Sequence, residues 1–145
     1  MRARGLVLGA AVALVAAIVV VVVRGAGGVP DEPQPVAWDQ AVCGHCHMHV
    51  GEPRFAAQLI TDAGEVVNFD DVGCALRYLR ERRPAVHRLW FHGEGDAWIA
   101  ADRAAFVAAP RTPMGSGLMA VEVGTPGARG LDDVERDLDK TGGLP

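Results

Sequence analysis

This 145-residue chain predicts an α+β fold, two small β-β-α-β modules behind an amino-terminal transmembrane helix. Three observations lead there. An uncharged apolar run fills Leu6 to Val23. Residues 54–92 read in the order strand, strand, helix, strand. Residues 97–140 repeat that order in part, and this second module lacks a visible last strand. The length suits one modest domain plus an anchor.

Arg2 and Arg4 precede the apolar run and Arg24 closes it. As a helix the run spans roughly 27 Å, close to the thickness of a bilayer core. Residues 1–24 are therefore expected to be a transmembrane anchor or an uncleaved signal, with Ala26-Gly27-Gly28 as the place where a peptidase could cut. No cysteine near its end could accept a lipid. The expected location is membrane-anchored, with the remainder on the extracytoplasmic (periplasmic or outer) side. Residues 25–36, with Pro30, Pro33 and Pro35, read as an extended linker, and residues 37–145 as the folded domain.

Arg54 to Thr61 reads as a strand, Asp62-Ala63-Gly64 as a hairpin turn and Glu65 to Phe69 as the returning strand. A helix follows over 70–83: Val72, Ala75, Leu76 and Leu79 form one apolar stripe, Asp70 can cap its start, and Arg80, Arg82 and Arg83 suit its end. Pro84 stops it. Val86 to Phe91 is the next strand and His92 to Gly95 a loop. Ala97 to Ala100 reads as a short strand, Ala101 to Ala108 as a short helix, and Gly117 to Val123 as a strand. Ala128 to Lys140 is expected to be helical, with Leu131, Val134 and Leu138 inward.

The formal charge is −4 and the basic residues form no long patch, so nucleic-acid binding has no support. Three cysteines are too few for a disulfide framework, and their number is odd.

Function concentrates in Cys43-Gly44-His45-Cys46-His47-Met48-His49, which packs two thiols, a thioether and three imidazoles into seven residues. Four readings compete. Thiolate, thioether and imidazole are donors that soft Cu(I) favours. In an extended segment Cys46 and Met48 would point the same way, and a third donor would come from Met114, Cys43 or a histidine such as His47. Pro113 and Gly115 hold Met114 in a turn, although core packing explains it equally well. The second reading is haem c, because Cys43-x-x-Cys46-His47 matches the attachment pattern. Its flanks, however, are not helical. The third is a redox dithiol, disfavoured because no helix starts at the motif. The fourth is zinc, which lacks a second ligand pair at suitable spacing. Cys74 reads as a buried structural thiol, Met119 as core, and His87 and His92 as structural or exposed.

Three further stretches extend the picture: Arg54-Phe55-Ala56-Ala57-Gln58-Leu59-Ile60, Asn68-Phe69-Asp70-Asp71-Val72-Gly73-Cys74, and Thr112-Pro113-Met114-Gly115-Ser116-Gly117-Leu118 followed by Ala120. With Cys46-His47-Met48 in front and Trp98 between, residues 43–123 resemble the NosL family, the nitrous oxide reductase accessory proteins. The resemblance implies an extracytoplasmic, membrane-tethered copper chaperone of two β-β-α-β modules, not an enzyme. Its Cu(I) motif, Cys-x-Met, maps onto Cys46 and Met48, and its Pro-Met-Gly turn onto Pro113, Met114 and Gly115. The partner it implies is a client copper enzyme, nitrous oxide reductase or a related protein, or a membrane copper-transfer complex. The chain departs from the family in its anchor, which is an apolar helix where members are commonly lipoproteins.

Overall fold

A computed structural model describes residues 28–141. The expected anchor at 6–23 lies outside them; among the described residues no helix is long and apolar enough to cross a membrane.

The first module follows its expected order. Strands β1 (Ala57–Thr61) and β2 (Val66–Phe69) form an antiparallel hairpin, helix α1 (Val72–Arg82) crosses over, and β3 (Val86–His92) returns beside β1. A short β4 (Trp98–Ala100) adds to β3, giving the order β2-β1-β3-β4. Every residue of the central strand β1 is buried, including Gln58, whose amide is paired with the Gln34 carbonyl and the Asn68 side chain. In β2, Val67 and Phe69 face the core while Val66 and Asn68 are less covered, the period of two expected of a half-buried strand. Gly64 turns the hairpin at φ +82, a conformation that other residues adopt at a cost.

Helix α1 buries Val72, Ala75 and Leu76 and packs Leu79 against the same core, as its stripe predicts. Its cap is Asp71, not Asp70: the Asp71 carboxylate accepts from Gly73 N at 2.7 Å. Arg83 ends the helix in the left-handed region, and its N–H donates to the Leu79 carbonyl.

The second module departs from expectation in three places, the first being that Trp98–Ala100, expected to open it, belongs to the first sheet as β4. Ala101 to Ala108 was expected to be helical. Only Ala101–Arg103 makes a helical turn, of 3₁₀ type, and Ala104–Ala108 is strand β5. It pairs residue for residue with β6 (Leu118–Glu122). Alanine-rich sequence favours a helix by only a few tenths of a kcal/mol per residue. Burying Ala104, Ala105 and Phe106 in a sheet outweighs that preference.

The helix expected from Ala128 begins later. Arg129–Gly130 form a two-residue strand, β7, against Ala105 and Phe106, and α2 runs from Leu131 to Thr141. The sheet order is β6-β5-β7. The second module is therefore β-β-β-α, its third strand preceding the helix. An Arg129–Asp137 ion pair ties β7 to α2. Val134 is buried and Leu131 partly so.

One hydrophobic core spans both sheets. Phe91 of β3 meets Phe106 of β5 edge to face, ring centroids 4.9 Å apart.

Candidate metal centre

The Cys43–His49 segment is not extended. Residues 41–50 fold back as a small hairpin. Val50 N–H donates to the Ala41 carbonyl (2.9 Å), Cys43 N–H to the Met48 carbonyl (2.8 Å), and Val42 bridges His49. The tip closes when His47 N–H reaches the Cys43 carbonyl at 3.1 Å, which places His47 at φ +63. Cys46 therefore lies in a turn, and the alternation expected to align it with Met48 does not apply. The turn instead folds Cys46 back over Cys43.

Two contacts seat this hairpin on the first module, and a third ties it to the segment before it. Gly44 N–H donates to the Asn68 carbonyl of β2 at 2.9 Å. Gly51 N–H donates to the Asp70 carboxylate at 3.0 Å. His49 Nδ1–H donates to the Asp39 carbonyl at 2.6 Å. Gly44 lies so close to β2 that a Cβ there would overlap Val67 Cγ1 and stand 3.3 Å from Phe69 Cε1. Gly44→Ala should therefore lift the turn and destabilise the domain by about 1–3 kcal/mol. Chemical denaturation checks this; an unchanged midpoint would mean that the turn is not clamped to β2.

The seating brings a third sulfur to the first two. The Sγ atoms of Cys43, Cys46 and Cys74 all lie within 4.8 Å of one another. All three are free thiols. Cys74 occupies the first turn of α1, its N–H on the Asp71 carbonyl at 3.0 Å. Cys43 and Cys74 are 0% exposed, while Cys46 is partly open to solvent. Cys74 is thus buried, as the sequence predicts, and it also stands in a cluster that its helical stripe gave no sign of. Met48, 58% exposed, and Met114, 39% exposed, sit at the surface, as does His47. The Cys43-x-x-Cys46-His47 stretch carries no helix, and its first thiol is sealed from solvent.

The adjacent aspartates hold the surrounding loops. Asp71 is fully buried; while one of its oxygens caps α1, the other accepts from Met114 N at 3.0 Å. Asp70 fixes the end of the thiol hairpin through Gly51. Helix capping alone, the role expected of these residues, understates them.

The thiols divide their protons unequally. Cys74 donates a hydrogen bond to Cys43, and backbone N–H groups of Asp70, Cys46 and His45 also point at that sulfur. Against the opposing effect of burial, they lower its pKa to about 4. Cys74 is raised because its hydrogen is held by Cys43 and because it is buried. Burial also raises Cys46. At neutral pH the group holds one thiolate, on Cys43, and two thiols.

Three soft sulfurs suit a small soft ion. Metal–sulfur bonds of ~2.3 Å put the donors of a trigonal site ~4 Å apart, within reach of this cluster. A structural zinc site closes on four protein donors. Among the described residues, no histidine or carboxylate joins these three.

No family model matches the sequence, and no curated protein does. The structure is similar to the crystal structure of the copper chaperone NosL from Shewanella denitrificans. The two share 19% identity at a TM-score of 0.55, over 79% of this chain and 91% of that one. The resemblance read from residues 43–123 thus extends to the backbone: this chain has the fold of NosL.

Proposed function

We propose that the chain is an extracytoplasmic Cu(I)-binding accessory protein, tethered by its amino-terminal helix, that passes copper to a client cuproenzyme. Nitrous oxide reductase or a related copper protein is the expected client. The observation that carries this reading is the trio of Cys43, Cys46 and Cys74, one sulfur accessible and two beneath it. The NosL-like fold agrees with it. Copper bound to all three thiolates would be three-coordinate, with apolar packing behind it that disfavours water and Cu(II). Handover would start at Cys46, the sulfur a partner can reach, by exchange of one ligand at a time. Met48 is the neighbouring soft donor on the open side, and Met114 and His47 are further candidates for a transient ligand. A haem on Cys43 would have to displace Cys74 and the core packing that cover that thiol in this fold, and its full burial favours copper.

The test is competition with a chromophoric Cu(I) chelator under anaerobic conditions. The parent should take one ion. Cys46→Ser combined with Met48→Leu should weaken binding by roughly 100-fold or more. A double variant that competes as well as the parent would remove the ligand assignment.

Binding should also be coupled to protons. With Cys43 lowered and Cys46 and Cys74 raised, an ion held by three thiolates displaces about two protons at neutral pH. Affinity then climbs with pH, and its dependence steepens below about pH 4, where Cys43 also carries a proton. Proton release on Cu(I) addition in weak buffer measures this. Release of no protons would show that the thiols are not the ligands.

A further inference from the structure

The three thiols differ in access. Cys43 and Cys74 are sealed beneath the hairpin, and Cys46 alone meets solvent. Cys43 and Cys46 belong to one turn, closed by the His47 N–H to Cys43 carbonyl bond. A chain reversed over four residues brings its first and last Cα within about 7 Å, and disulfides form at roughly 4.4–6.8 Å. Cys74 is on a helix whose first turn is fixed by the Asp71 cap. Its Cα cannot approach the hairpin without moving α1, whereas the hairpin turn can close on itself.

We propose that Cys46 and Cys43 form a thiol–disulfide exchange pair that switches the site off. Cys46 reacts first with an external disulfide R–S–S–R, giving the mixed disulfide Cys46–S–S–R and releasing one R–SH. The Cys43 thiolate then attacks the Cys46 sulfur, breaking the Cys46–S–S–R bond and expelling the second R–S⁻, which takes a proton from solvent. The protein gives up two electrons, and R–S–S–R is reduced to two thiols, one proton coming from Cys46 and one from solvent. Oxidation leaves Cys74 as the single thiol of the trio. If the copper reading holds, on which this consequence alone rests, the oxidised chain cannot retain Cu(I). A dithiol reductant reopens the site.

The experiment uses the metal-free full chain and oxidised glutathione as probe, followed by alkylation and peptide mass mapping. The expected product is a Cys43–Cys46 disulfide with Cys74 alkylated. Cys74→Ser should still form it, and Cys43→Ser should stop at the glutathione adduct on Cys46. A cross-link involving Cys74, or a Cys46 that stays unmodified, overturns the proposal. A second arm compares Cu(I) competition before and after oxidation, with a loss of roughly 100-fold expected and full recovery in dithiothreitol. If the disulfide forms but the reduced chain binds no copper, the exchange pair stands and the copper reading falls. If the reduced chain binds copper but no disulfide forms, the exchange pair alone falls.

Discussion

Cys74→Ser is expected to lower Cu(I) affinity by roughly 100-fold. A thiolate-rich metal site is worth about 10–16 kcal/mol over four donors, so one donor accounts for about 3 kcal/mol, or roughly two decades in affinity. Serine keeps the shape of the side chain and offers a hard oxygen that a soft ion ignores. The effect should appear although Cys74 lies 26 positions beyond Met48, outside the motif that attracts attention. Its sulfur lies within 4.8 Å of the other two, and that proximity is the reason to expect it. Chelator competition measures the affinity, and circular dichroism confirms that α1 is intact. If Cys74→Ser binds copper like the parent, the ion sits elsewhere, and the Cys46–Met48 pair becomes the site to test.

The second large effect is on stability. Asp71→Ala removes the cap of α1 and the acceptor of Met114 N–H in one change, at a position with no exposure. Losing a cap costs about 1 kcal/mol, and a hydrogen bond to a charged group about 1.5–3 kcal/mol. The sum is about 2.5–4 kcal/mol, a fall in melting temperature on the order of 10–20 °C for a domain of this size. Asp71→Asn separates the two roles. It keeps an oxygen for the cap and turns the other side from acceptor to donor, facing Met114 N–H. Its loss should come from the Met114 turn alone. Thermal unfolding of both variants decides the matter; equal losses would mean that the cap on Gly73 N contributes nothing, and an Asn variant as stable as the parent would mean the same of the bond to Met114 N.

Local pattern made much of the first module legible. The Val72-Ala75-Leu76-Leu79 stripe, the Gly64 turn and the alternation in β2 are each written in neighbouring residues, and the structure follows them. What failed depended on distant partners. Ala104–Ala108 has the composition of a helix, and only the matching strand at 118–122 makes it β. Arg129–Gly130 is too short for any periodicity to reveal; it is a strand because the edge of β5 is there. The site divides in the same way. The metal-binding character of Cys43 and Cys46 is plain from their spacing. The assembly with Cys74 depends on the hairpin being seated on β2 through Gly44 and on the helix starting where Asp71 caps it. One sequence signal did point to it, since Cys74 stands three residues after Asp71 in the Phe69-Asp70-Asp71 stretch and an odd thiol was left to place.

The Phe91–Phe106 contact has a consequence for how the domain can be divided. Each ring supplies apolar cover for the other sheet, so neither sheet has a finished interior by itself. The three-residue link Ala101–Arg103, which looks like a natural boundary between two similar modules, runs beside that shared interior. Cutting the chain there would open the core along its middle. The two halves are separable as patterns of strands and helices, and they are inseparable as objects in water.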